Sequence, residues 1–245
     1  MHFPYEADIE IEKGFKVSYH SVLEYIWPLL TEERRNKIER VASLRNFNLT
    51  IVLENIYDRG NISAVMRSQE AFGFPCVEVI EGSERFKNAN RVSSGAEKWL
   101  RLRRWSNSTD CWKKLKAEGL QICVTSLQSS KPLQEIDWSR PTALVLGNEK
   151  DGVSPELLAH ADERVIIPMD GFVQSLNISV AGAVSLYHVH RYYQGLSPKT
   201  NLGSGASNVK PSLLSPEQVD ILKAYYALNT LDSAPEILKS KLSKK

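Results

Sequence analysis

LTIVLENIYDRGNISAVMRSQEAFGF, residues 49–74, joins a run of apolar β-formers, a polar turn and an amphipathic segment in one stretch. LTIVLEN (49–55) is short, β-branched and apolar, which predicts a buried strand. IYDRGN follows as a turn. In ISAVMRSQEAFGF (62–74) the apolar residues Ile62, Val65, Met66 and Phe72 recur at helical spacing. CVEVIE (76–81) reads as the next strand. Strand, turn, helix and strand in this order form the unit from which parallel sheets are built.

The same alternation continues outward. LRLRRW (100–105) alternates as an edge strand, and CWKKLKAEG (111–119) is a helix that stops at Gly119. LQICVTSL (120–127), TALVLGNE (142–149) and RVIIPM (164–169) are strands. SPELLAHA (154–161) is a helix with Ser154 at its N-cap and Pro155 at its first position. ISVAGAVSLYHVHRYYQ (178–194) is a long apolar helix, and the polar region 82–98 is a loop. The pattern predicts an α/β fold with a mostly parallel sheet. Upstream, residues 19–44 read as helical, with Leu23, Ile26, Leu29, Ile38 and Val41 as apolar positions and Thr31 as a helix start. Downstream, the Pro/Gly/Ser-rich segment 196–216 reads as a linker, followed by the amphipathic helix EQVDILKAYYALN and a charged tail. The expected domains are an N-terminal helical extension (1–47), an α/β domain (48–195), and a linker with a C-terminal helix (196–245).

Of the 245 residues, 42% are hydrophobic and 24% charged, which favours neither a disordered nor a membrane-spanning chain. The acidic start MHFPYEADIEIEK has no apolar stretch of a secretory signal. Cys76, Cys111 and Cys123 are scattered, with no CxxC pair and no HExxH, so neither a zinc site nor a disulfide framework is expected and a reducing compartment fits. The net charge is only +2, but basic residues cluster at Arg34–Arg40, Lys98–Arg104, Lys113–Lys116 and Lys239–Lys245. Each cluster alone reads as a solvated face; together they suit a polyanionic partner.

Ligands of open α/β sheets bind beyond the carboxyl ends of the strands. Three strand ends carry concentrated polar and small residues: Asn55…Asp58-Arg59-Gly60-Asn61, Gly147-Asn148-Glu149-Lys150-Asp151-Gly152, and Pro168-Met169-Asp170-Gly171 running into GFVQSLNISVAGA (171–183). Any one could be an ordinary turn. The dinucleotide and P-loop glycine patterns and the GxSxG elbow are missing, and no histidine falls at these ends. Arg67 reads either as a surface residue paired with Glu70 or as a guanidinium suited to a phosphate or a reacting oxygen. Asn177 suits the N-cap of the helix at Ile178, and Ala181, Gly182 and Ala183 would let another backbone approach.

Three ordered segments resemble the SpoU/TrmH branch of the SPOUT methyltransferases. They are ENIYDRGNISAVMRSQEAFGF (54–74), ALVLGNEKDGVSPELLAHAD (143–162) and VIIPMDGFVQSLNISVAGAVSLYHV (165–189). SSGAEKW (93–99) resembles a segment of the tRNA-modifying TrmH subgroup. The resemblance implies a deep trefoil-knotted α/β fold flanked by helical arms, a homodimer in the cytoplasm, and S-adenosylmethionine as methyl donor. It implies 2′-O-methylation of a ribose in RNA, in this subgroup a D-loop guanosine of tRNA. Alternatives are a ribosomal-RNA enzyme of the same family and a catalytically silent knotted RNA-binding protein.

Carried over by position, Asn61, Arg67, Glu149, Ser175 and Asn177 match the family's catalytic residues. Thr125, Leu146, Gly147, Ile167, Pro168, Met169 and Leu176 fall where its members cradle the cofactor, and no metal is implied. On this reading Arg67 activates the ribose hydroxyl directly or through a phosphate. Asn61, Ser175 and Asn177 orient it, and Glu149 holds loops or serves as an alternative base. Asn148 stands where relatives often have Ala, Gln or Ser, and Asp58-Arg59-Gly60 replaces a Pro-containing turn.

Overall fold

The computed structural model describes residues 3–81, 95–128, 130–195 and 214–243. They divide into two units, one built from the described residues between 47 and 195 and the other from residues 3–46 together with 214–243. The second unit begins with an antiparallel hairpin of β1 (Asp8–Glu12) and β2 (Phe15–Ser18). Its turn uses Gly14 at φ 81°, a conformation that a side chain would strain. Helix α1 (Tyr19–Tyr25) and helix α2 (Glu32–Ser43) follow, the latter capped by Thr31, which accepts from the Arg34 N–H at 3.3 Å. Residues 19–44 are helical as expected, in two helices, with the second starting from the Thr31 cap. Pro28 lacks an N–H and sits in a single 3-10 turn, Trp27–Leu29, between the two helices. The turn shifts the helical phase, so Leu30 is buried whereas Leu29 is 56% exposed.

The α/β unit contains β3 (Leu49–Glu54), α3 (Arg59–Ala71), β4 (Cys76–Ile80), β5 (Arg101–Trp105), α4 (Ser108–Ala117), β6 (Gln121–Thr125), β7 (Lys131–Pro132), β8 (Thr142–Leu146), α5 (Pro155–Ala159), β9 (Glu163–Ile166) and α6 (Ile178–Tyr193). All seven strands are parallel, in the order β5-β4-β3-β8-β6-β9-β7. Every residue of β3, β4 and β8 is buried, because helices cover both faces of the sheet centre and the strands read as unbroken apolar runs. Leu49, Ile51 and Leu53 of β3 and Leu144 and Leu146 of β8 join the core that includes α3 and α6. Val52, Ala143 and Val145 alternate to the other face, with Leu115 of α4 and Leu157 of α5. Truncating one such leucine to alanine costs about 2–5 kcal/mol.

Two buried carboxylates interrupt these strands. Glu78 of β4 accepts from Arg103 Nε (2.7 and 2.9 Å) and from Trp105 Nε1 (2.6 Å) on the neighbouring edge strand. Glu54, the last residue of β3, faces α4 and α5 instead. The three cysteines fill space, and burial pushes the Cys76 and Cys123 thiols up to about 12, which keeps them protonated and unreactive.

Helices α7 (Pro216–Leu228) and α8 (Ala234–Leu242) complete the second unit. A capping box of Ser215 and Gln218 starts α7, which packs on α1 and α2. Arg45 is buried there and donates from Nε to the Tyr226 hydroxyl at 2.8 Å. The charged tail expected after α7 is a helix whose Ala234 and Leu238 are fully buried, a spacing of four that lysines on either side obscure. Most of the expected linker, residues 196–213, and most of the expected loop, 82–94, lie outside the described residues, as does part of SSGAEKW.

Candidate active site

Because all strands of the sheet run the same way, their carboxyl ends share one edge. β8 lies between β3 and β6, so the connections leaving β3, β6, β8 and β9 converge there. A cavity of about 670 Å³ opens at this edge. Thr125, Leu146, Gly147, Ile167, Met169 and Leu176 all line it, as do Glu149, Ser175 and Asn177. Pro168 does not, although both its neighbours do; it faces solvent. Asn61 and Arg67 lie outside the cavity on α3.

Asn61 is nonetheless tied to it. Its amide nitrogen donates to Glu149 Oε1 at 2.8 Å, and its amide oxygen accepts from Asn177 Nδ2 at 3.2 Å. Glu149 Oε2 accepts from the Tyr57 N–H at 3.3 Å. One hydrogen-bonded chain therefore joins the ends of β3, β8 and β9. Asn177 serves two purposes at once. Its oxygen caps α6, accepting from the N–H groups of Ser179 (2.8 Å) and Val180 (3.4 Å), while its nitrogen reaches Asn61. Ser175 is exposed on the cavity wall and makes no hydrogen bond among the described residues. Arg67 is six residues beyond Asn61, about 120° around α3. It is exposed, with no ion pair or hydrogen bond among the described residues, so the pairing with Glu70 is absent and the chain does not bring Arg67 to the other four.

Two details were hidden from the sequence. The first is where backbone meets backbone. A Cβ on Gly147 would lie 2.1 Å from the Gly152 carbonyl carbon and 2.2 Å from the Val153 nitrogen, so only glycine fits. The expectation that Gly182 admits a backbone is corrected: a Cβ there meets the side chains of Leu146 and Val65, both at 3.1 Å. The second is the internal bracing of the 147–153 loop. Asn148 and Gly152 exchange N–H···O bonds of 3.0 Å, and Asn148 Oδ1 accepts from the N–H groups of Lys150 (2.8 Å) and Asp151 (2.7 Å). An Asn followed by a Gly four residues later was the available signal. The unusual Asp58-Arg59-Gly60 turn has its own device, Asp58 capping α3 through the Gly60 N–H at 2.7 Å.

The SpoU rRNA Methylase family model matches residues 48–187. The tRNA (guanosine(18)-2'-O)-methyltransferase of Thermus thermophilus is 39% identical over 162 residues, 66% of this chain and 84% of that protein. Among solved structures, the A. aeolicus TrmH/SpoU tRNA modifying enzyme superposes with a TM-score of 0.65 at 30% identity, covering 80% of this chain and 96% of that one. The SpoU methyltransferase AviRb from Streptomyces viridochromogenes, solved in complex with AdoMet, gives a TM-score of 0.55 at 25% identity over 62% of this chain and 60% of that one.

Proposed function

The chain belongs to the SpoU rRNA methylase family, and from that premise we propose that it methylates a ribose 2′-hydroxyl of tRNA, at a D-loop guanosine, with S-adenosylmethionine as donor. The observation that carries the assignment to this edge of the sheet is the Asn177–Asn61–Glu149 chain at the rim of the cavity. The cavity suits the donor. Leu146, Ile166, Ile167 and Leu176 supply apolar walls, Thr125 a hydroxyl, and among the described residues the backbone groups of 167–176 are free of hydrogen bonds. Such walls with a few polar edges are what a nucleoside ligand needs. When bound, S-adenosylmethionine supplies a methyl carbon on a positively charged sulfur.

A ribose hydroxyl is a poor nucleophile and must lose its proton as it attacks, so the protein's part is alignment and proton removal. Both Glu149 oxygens already accept hydrogen bonds, which supports a holding role over that of a base. A guanidinium keeps its proton in water, so Arg67 acts by gripping a phosphate beside the target ribose, and an oxygen of that phosphate accepts the hydroxyl's proton. Ser175 and Asn177 orient the ribose.

Arg67 and the cavity come together in a homodimer. Helices α3 and α6 run side by side and parallel: Asn61 meets Asn177, Val65 meets Gly182, and Phe72 packs at a tilt against Tyr187 and His190. Their outer surfaces expose Ala64, Arg67 and Ala71 on one and Val180, Val184 and Tyr187 on the other, a face of small and apolar groups that carries Arg67. A second copy covers this face and receives Arg67 at its own cavity. The family likeness also supports a trefoil-knotted path around the 147–153 loop. Among the described residues no helix is long and apolar enough to cross a membrane, and action on tRNA accords with a cytoplasmic location.

The test is mass-spectrometric mapping of 2′-O-methyl groups on tRNA and ribosomal RNA incubated with the protein and S-adenosylmethionine. The expected result is one methylated guanosine in the D-loop. Methylation of ribosomal RNA alone selects the alternative that the family's name suggests, and no donor binding by calorimetry selects a silent RNA-binding protein.

A further inference from the structure

Glu54 is 1% exposed, and it faces no cation among the described residues. Its oxygens are taken by three donors. Oε1 accepts from Ser108 Oγ (2.6 Å) and Ser154 Oγ (2.7 Å), and Oε2 accepts from the Ser154 N–H (2.8 Å). A buried carboxylate held only by neutral donors is a costly way to end a strand, since an apolar side chain would fill the place without the loss of hydration. Its expense is understandable if the geometry it imposes is needed.

That geometry concerns the 147–153 loop. Ser154 is the residue immediately after it, and Val153, just before, is buried against the Gly147 backbone. The near end of the loop is fixed by β8. Glu54 fixes the far end and ties it to Ser108 at the start of α4. Three residues later in the first segment, the Tyr57 N–H meets Glu149, and Asn61 meets it again. The two segments thus exchange carboxylates: Glu54 reaches forward to 154, and Glu149 reaches back to 57 and 61.

We infer that Glu54 is a positioning residue for methyl transfer, anchoring through Ser154 the loop that forms one wall of the donor cavity and carries Glu149. The inference rests on the donor reading of that cavity. Glu54 touches neither donor nor RNA; it acts through the loop.

The test compares Glu54→Gln with Glu78→Gln. Both alter a buried carboxylate of adjacent strands, but the partners of Glu78 lie on β5 and not on the loop. S-adenosylmethionine binding is measured by calorimetry, exchange of the 148–153 amides by mass spectrometry, and transfer kinetics at varied donor. Glu54→Gln is expected to weaken donor binding about tenfold, to raise KM for the donor more than it lowers kcat, and to speed exchange at 148–153. Glu78→Gln is expected to lower the melting temperature with donor binding unchanged. If Glu54→Gln fails to fold, Ser108→Ala, which removes a single hydrogen bond, is expected to show the same pattern at a few-fold. Wild-type donor binding and unchanged loop exchange in the folded Glu54 variant, or in Ser108→Ala where that is used, overturn the assignment. A wild-type protein that binds no donor overturns the reading of the cavity instead, and the exchange measurement then judges the anchor by itself.

Discussion

Two segments meet the cavity, 147–153 along its wall and 170–175 through Ser175, each following the end of a parallel strand, and they are held in opposite ways. Residues 147–153 are braced from within by the Asn148–Gly152 pair and from without by Asn61 and Tyr57, with backbone packed on backbone at Gly147. Residues 170–175 are all exposed and make no hydrogen bond among the described residues. Hydrogen bonding resumes at Asn177. The first segment is a wall whose shape exists before any ligand arrives. The second has few contacts to lose and is placed to adapt around one, the kind of region in which local opening is easiest.

The contrast is sharpest between two glycines. Gly147→Ala is expected to displace the loop and weaken donor binding by about 100-fold or more, measured by calorimetry, because no side chain has to move but a peptide must. Asn61→Ala is next. It releases one oxygen of Glu149 and removes the partner of Asn177, and should lower kcat about 10- to 100-fold while the 148–152 amides exchange faster. Ser175→Ala on the unbraced wall is expected to reduce transfer several-fold with an unchanged melting temperature, since the hydroxyl holds nothing within the fold. Gly171→Ala should change donor affinity by no more than about twofold, as nothing lies within 4 Å of the added carbon. A large effect at Gly171 or a small one at Gly147 would erase the distinction between the two walls.

Much of the α/β unit was legible in advance for one physical reason: strands covered on both faces write contiguous apolar runs, as in LTIVLE and TALVL. Asn177 was legible as a cap from local chemistry, and its place beside Asn61 and Glu149 only through the family resemblance. The partners of Glu54 were not readable, because Ser108 and Ser154 lie 54 and 100 residues away and serine is an ordinary residue at a helix start. The hairpin at 8–18 was missed although Asp8-Ile9-Glu10-Ile11-Glu12 alternates; only Ile9 and Val17 anchor it in the core, too little apolar surface to stand out. The Thr31 cap marks the start of α2, and Pro28 explains the break before it, although the apolar residues on either side keep nearly helical spacing.

The second unit carries a consequence for how the chain can be shortened. Its core interleaves Val22, Ile26 and Ile38 from the early residues with Ile221, Leu222 and Leu238 from the late ones. Neither part owns enough apolar surface to stay folded alone. A deletion from one end is therefore a deletion from both: a chain ending at 195 would be left with residues 3–46 as an orphaned half, exposed to proteases, and a trimming experiment meant to remove one arm would report on the loss of two.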